Sequence, residues 1–379
     1  MLMQNELKHQ LFKTCDALFP QLIESLQQIA AIPSVEGEAS DQAPFGLKVR
    51  EALDATLNIS KELGFQVDTD GYVGFAQHGE GNQYIAALGH LDVVPEGKGW
   101  VHPPYGAIID KAENRMYGRG VLDNKGPILA CLYAMKAIAE VLPKPKQAIR
   151  ILFGTNEETG FHDIPQYLKH HQPPLAGFTP DCKYPVVYGE RGRLKLRLLY
   201  TGNEQEQFFT FLNDTFLSGD HSGKELHIDC HDKEFGNLQI GGFRMIQEKR
   251  NPGFDFSIQY PACQNDETLI KLIEKQLPLD VHVSVLLHYP PVRFAKDSIL
   301  VQTLQDAYEA VTGQDGTPVT TTGGTYAKVM PNIVPFGPSF PGQKGIAHLP
   351  DEWINLDDLK WNMKIYALAL AELSNIAEF

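Results

Sequence analysis

The chain has 379 residues, 43% of them hydrophobic and 21% charged, with a formal net charge of −14 at pH 7. That length exceeds what one hydrophobic core usually organises, so one large or two ordinary domains are expected. The acidic balance argues against nucleic acid or an anionic membrane as partner.

Five cysteines (Cys15, Cys131, Cys182, Cys230 and Cys263) are odd in number, widely spaced and without a Cys-x-x-Cys pair. They point away from a disulfide framework or a thiolate zinc site and towards a reduced, cytoplasmic protein. The first residues carry acids and a helical rather than continuous apolar pattern, so no signal peptide is expected. No apolar run approaches the ~18 residues that a membrane span requires.

Leu7, Leu11, Cys15, Leu18, Leu22, Leu26 and Ile29 recur at steps of three and four, which describes one amphipathic helix ended by Pro33. A second helix fits 45–63, with Leu47, Leu53, Leu57 and Leu63 inward and Gly64 as its stop. Residues 65–77 alternate around Asp70-Gly71, a hairpin signal. The apolar run 84–88 reads as a buried strand, and His90 and Asp92 follow it directly. A second hairpin fits 107–110 with 115–117, and Asp123 precedes a helix at 126–141 that Pro143 breaks. Residues 148–154 form another apolar run, ending in TNEETG with Glu157 and Glu158, and a third ends in FTPD with Asp181. Strands of a parallel sheet present chemistry just beyond their carboxyl ends, so these runs predict an α/β sheet with a site along one edge.

From about Gly192 the texture changes. RLKLRLLY, a helix at 204–217, strands at 238–246 and 254–260, a helix at 266–276 and a strand at 281–288 describe a β-α-β-β-α-β unit with antiparallel pairing. After Pro290-Pro291 come a helix at 298–311, the loop TTTGGTYAKVMPN, the segment FPGQKGIAHLPDEW and a helix at 356–376. The expected architecture is an α/β catalytic domain of three layers around a mixed, mostly parallel sheet, formed by 1–191 and 290–379. An α+β, ferredoxin-like domain at 192–289 is inserted into it.

Divalent cations favour carboxylate oxygen and neutral imidazole, and two close cations need a carboxylate that bridges them. His90, Asp123, Glu158, Asp181 and His348 are such donors, each in a glycine- or proline-marked turn. One His-x-Asp means little, because a strand-end histidine is ordinarily just hydrogen-bonded; repetition at successive strand ends gives the pattern its weight. Glu157 and Glu158 fit the acid-rich start of a helix. They also fit one carboxylate on metal beside a free one that moves a proton. Asp92 fits a turn cap, or an acceptor that fixes the tautomer of His90.

GHLDVVP, GRGVLDNKGP, TNEETG, FTPD, GGTYAKVMPN and AHLPDE, in this order and spacing, resemble the co-catalytic family-20 metallopeptidases. Within that family the chain is most similar to the bacterial Xaa-His (β-Ala-Xaa) dipeptidases of the PepV type. The resemblance implies two zinc ions, with manganese or cobalt suited to the same donors. His90 and Asp181 would hold one ion, Glu158 and His348 the other, and Asp123 would bridge them. It further implies Asp92 supporting His90, Glu157 as general base and then acid, and a cis Asp123-Asn124 bond. Gly323, Gly324, Thr325 and Tyr326 would line the pocket and offer backbone donors to a substrate carboxylate. The implied reaction is hydrolysis of the amide bond of a small peptide by a metal-bound hydroxide in the cytoplasm.

The inserted domain departs from the family pattern. The G-x-x-x-H-[AS] segment whose histidine polarises the scissile carbonyl is absent, and Gln259 stands where relatives carry a carboxylate-gripping arginine. His221, His227, His231 and His282 are the substitutes within the insert, each read first as a surface histidine. The departure keeps other readings open: an N-acyl- or N-succinyl-amino-acid deacylase, or a catalytically impaired metal- or peptide-binding protein with a degenerate lid. A short lid with exposed strand edges also suits a homodimer.

Overall fold

Tyr84–His90 and Ala148–Gly154 are buried along their whole length. Strands without a polar face need cover on both sides, which parallel sheets receive from helices. In the computed structural model, which describes residues 3–343 and 345–378, these two strands are parallel neighbours. They lie at the centre of a six-stranded sheet ordered Gln66–Thr69, Gly74–His78, Ala148–Gly154, Tyr84–His90, Ala176–Thr179, Ile333–Pro335. The first two pairings are antiparallel and the last three parallel, so the sheet is mixed and mostly parallel as expected.

Successive strand residues face opposite ways, and the two faces of Tyr84–His90 meet different helices. The Tyr84 hydroxyl lies 3.1 Å from that of Tyr167 on helix Asp163–His170. Gly89, of opposite parity, lies against Ile128 of helix Lys125–Val141. Helices therefore cover both faces. Lys125–Val141 also packs against Asn5–Ala30 and Leu356–Ser374.

The long first helix buries Leu11, Cys15, Leu18, Leu22, Leu26 and Ile29, the expected stripe. The second helix, Leu47–Glu62, corrects one assignment: Leu53 and Leu57 are buried, but Leu47 is 75% exposed. At ~100° per residue, Leu47 stands about 120° away from Leu53 around the helix. Val49 and Ala52 occupy the inward face instead.

The chain divides into two compact units. The smaller comprises Tyr188–Phe294 and Val319–Gly324, somewhat more than the expected 192–289. The added residues belong to short strands: Val187–Glu190 lies between Val292–Arg293 and Val319–Thr321 in a separate three-stranded sheet. The main sheet of this unit is ordered Gln239–Glu248, Asn251–Tyr260, Gly192–Tyr200, Val281–Tyr289, with every pairing antiparallel. Leu194, Leu196, Leu198 and Tyr200 share one core with Phe208 and Leu212 of helix Gln205–Leu212 and with Leu269 and Ile273 of helix Asp266–Glu274. The expected helix at 204–217 keeps α geometry to Leu212 and closes as a π turn, Asn213–Leu217. Among the described residues, no helix is long and apolar enough to cross a membrane.

Gly177 pairs with Ala86 in the central sheet, and a Cβ there would lie 2.2 Å from the Ala86 carbonyl oxygen. The three nearest atoms are all Ala86 backbone, which leaves nothing flexible to move aside. Gly177→Ala is expected to destabilise the fold by about 1–3 kcal/mol, read from the shift in a guanidinium unfolding midpoint.

Candidate metal centre

Parallel register brings three strand ends to one edge: His90 pairs with Gly154, and Ala87 with Phe178. The chain leaving those strands carries His90 and Asp92, Glu157 and Glu158, and Asp181. Asp123 arrives from the other direction, just before helix Lys125–Val141, and its peptide bond to Asn124 is cis, as the resemblance implies. The Asn124 side chain ties the turn to two strand ends, donating to the Pro180 carbonyl at 2.6 Å and accepting from the His90 N–H at 3.4 Å. Only glycine fits at position 89, because a Cβ there would lie 2.2 Å from Asn124 Oδ1. His348 comes from far along the chain, on a left-handed residue with φ of 66°.

These side chains converge. His90 Nε2 lies 3.0 Å from Asp123 Oδ1 and 3.7 Å from Asp181 Oδ2. His348 Nε2 lies 3.1 Å from Asp123 Oδ2 and 3.0 Å from Glu158. Ligand atoms of His90, Asp123 and Glu158 fall within 4.8 Å of one another, and so do those of His90, Glu157 and Asp181. His90 Nδ1 must donate to its partner, the Asp92 carbonyl at 2.9 Å, which turns Nε2 towards the acids. The Asp92 carboxylate is 3.4 Å from the same Nδ1, but its stronger work is on the next turn. It accepts the N–H groups of Glu157 at 3.2 Å and Glu158 at 3.0 Å.

Negative charge is crowded here. Burial pushes the Glu157 carboxyl well above its ordinary range, and the nearby Asp181 adds to that. Burial raises Glu158 too, and raises Asp181 strongly with help from Asp123. Asp123 is also penalised by burial, yet hydrogen bonds from His348 and His90 outweigh the penalty and hold it below the usual carboxylate range. The same bonds, from Asp123 and Glu158, push His348 up to about 10. His90 is lowered by burial but raised more by Asp123 and Asp92, ending well above an ordinary imidazole. Imidazole and carboxylate oxygen, with more acids than bases in a buried space, are a donor set that fits divalent cations.

The residues expected around a substrate fare differently. Tyr326 is fully buried, and its hydroxyl donates to Asp163 at 2.5 Å, so its phenol braces the fold and leaves only backbone to a ligand. Thr325 is buried and caps the following turn through Ala327 N–H at 3.2 Å. Gly323 and Gly324 are exposed and belong to the smaller unit. Gln259, also in that unit, pairs with Arg193 on one side and Gln239 on the other. All three line a cavity of about 630 Å³ together with His221 and Ser257. His231 and His282 are instead tied to Asn237 and Thr201.

Sequence reasoning missed Asp163. Its Oδ2 accepts the N–H groups of Thr155 at 2.7 Å and Asn156 at 3.2 Å, anchoring the start of the turn that carries Glu157 and Glu158. Burial raises its carboxyl to about 6. An acid opening a helix is too common to have marked it.

The sequence matches the model of peptidase family M20/M25/M40 over residues 86–372. A Beta-Ala-Xaa dipeptidase of Lactobacillus delbrueckii subsp. lactis is 26% identical over 455 aligned positions, spanning 94% of this chain and 97% of the relative. That alignment is longer than the 379-residue chain itself, so the relative has stretches that are missing here. Human carnosine dipeptidase 1 shares the fold with a TM-score of 0.70 at 17% identity, covering 98% of this chain and 99% of that one. The di-peptidase Dug1p of Saccharomyces cerevisiae does so with a TM-score of 0.72 at 17% identity and the same coverage.

Asp92→Asn places an amide N–H₂ against a backbone donor, and is expected to weaken divalent-cation binding about 10- to 100-fold in a chelator competition. A proton held on His348 up to about 10 must leave before the ring can ligate a metal. Cation affinity should therefore rise with pH through the neutral range, with net proton release detectable by calorimetry in buffers of different ionisation enthalpy.

Proposed function

The chain belongs to peptidase family M20/M25/M40 and is a metallopeptidase, and from that premise we propose that it hydrolyses the amide bond of dipeptides or similarly small substrates with two divalent cations. The observation that carries this reading is Asp123, whose two oxygens lie 3.0 and 3.1 Å from two histidines, each grouped with further acids. One carboxylate between two such groups suits a bridging ligand. His90 and Asp181 would hold one ion, Glu158 and His348 the other. When bound, the ions would polarise the scissile carbonyl and acidify the attacking water.

The remaining chemistry belongs to the chain. Glu157 takes a proton from the attacking water as the C–O bond forms, and delivers it to the amine as the C–N bond breaks. Burial and the neighbouring Asp181 raise its proton affinity, which suits a group that takes up a proton during the reaction. Asp92 holds the Glu157 and Glu158 backbone in place, so acceptor and ligand keep a fixed spacing. Zinc is the ion we assign, with manganese and cobalt suited to the same donors. A cytoplasmic location fits the five free cysteines.

A panel of dipeptides and N-acyl-amino acids, assayed with purified protein before and after chelation, tests the reading. Dipeptides should be the better substrates, and turnover should vanish on chelation and return with added zinc. Glu157→Gln should lose about 10²- to 10⁴-fold in kcat while retaining its metal. Equal rates in variant and wild type would remove Glu157 from the mechanism, and a preference for acylated amino acids would make the protein a deacylase.

A further inference from the structure

Glu352 lies four residues after His348, and its side chain is fully buried. Its Oε1 accepts three backbone N–H groups, from Gly120 at 3.0 Å, Leu122 at 3.0 Å and Asp123 at 3.1 Å. Its Oε2 accepts from Arg119 Nη1 at 2.7 Å, and its own carbonyl accepts from Gly118 N–H at 2.9 Å. The turn 118–123 is thus wrapped around one carboxylate. N–H groups converging in this way form a concavity that favours an anion.

Arg119 is held as firmly as its partner. It is 1% exposed, reaches the Glu96 carbonyl at 3.4 Å and stacks 5.2 Å from the Trp100 ring centre. The adjacent Asp351 accepts the N–H groups of Val101 at 3.1 Å and His102 at 2.9 Å, so the two acids fasten two loops to one segment. Stability alone is a poor reason to bury such a pair, since an apolar replacement of similar volume is often neutral or stabilising. What the pair does supply is register. Asp123 and His348 are far apart in sequence, and Glu352 joins the turn ending in one to the segment carrying the other.

We propose that Glu352 is a positioning residue of the metal centre: its carboxylate, balanced by Arg119, holds Asp123 and His348 at the spacing that two cations require. This rests on the assignment of those two residues as ligands. An amide cannot substitute, because all four groups facing the carboxylate are donors and the N–H₂ of glutamine would oppose one of them.

The test compares wild type, Glu352→Gln and the milder Arg119→Lys by zinc stoichiometry, by chelator competition and by the visible spectrum of the cobalt(II) form. Glu352→Gln should bind at least one ion about 10- to 100-fold more weakly, change the cobalt spectrum, and recover kcat in excess metal. Arg119→Lys keeps the charge and should show a smaller loss in the same direction. If Glu352→Gln does not fold, Arg119→Lys decides by the same measurements. Wild-type affinity and spectrum with only a lowered Tm would overturn the proposal, leaving Glu352 a purely structural residue. A wild-type protein that binds no divalent cation would overturn the ligand assignment as well.

Discussion

Carboxylates crowded at the end of a buried sheet repel one another, and the organisation of the larger unit answers that constraint. Glu157, Glu158 and Asp181 all sit where burial raises their proton affinity, and only Asp123, between two histidines, is held below the ordinary range. An isolated arrangement of this kind would spread apart or protonate. Here each acid stands on a turn that cannot relax, because the turn's own backbone is hydrogen-bonded to a further buried polar side chain.

Those side chains form a second tier around the centre. Asn124 links the Asp123 turn to two strand ends, Asp92 and Asp163 take up the N–H groups of residues 155–158, and Glu352 takes up those of the Asp123 turn. Glycine at 89 provides the close approach that Asn124 needs. Each of these residues touches backbone rather than a reacting atom, which is how a fold fixes ligand positions without relying on long, mobile side chains.

The smaller unit follows a different logic. Its central strand, Gly192–Tyr200, puts leucines on the face covered by helices and Arg193, Lys195 and Arg197 on the other. Arg197 is committed to Asp255 through a two-pronged contact at 2.7 and 2.9 Å, whereas Arg193 lines the open cavity beside Gln259. Gln259, where the family resemblance leads one to expect an arginine, therefore still has a guanidinium one strand away.

Local pattern sufficed for the elements. Apolar runs, three-to-four periodicity and Asp-Gly turns located the strands, long helices and hairpins, because those signals arise from neighbours in sequence. Three of the proposed ligands, His90, Glu158 and Asp181, were legible for a related reason: each stands at or just past the end of a buried strand, and parallel strands deliver their ends to one edge, whereas Asp123 and His348 come from other parts of the chain. Leu47 was not legible, since which face of a short amphipathic helix turns inward depends on what packs against it. The same holds for Tyr326, which could have faced a ligand but is consumed by Asp163, and for Glu352, an unremarkable acid in a loop. By itself, the sequence determined which donors exist and which of them stand at strand ends. Tertiary structure alone decided which of them meet and which buried groups hold them there, because hydrogen bonds across more than two hundred residues, such as Glu352 to Asp123, leave no periodic trace in the chain.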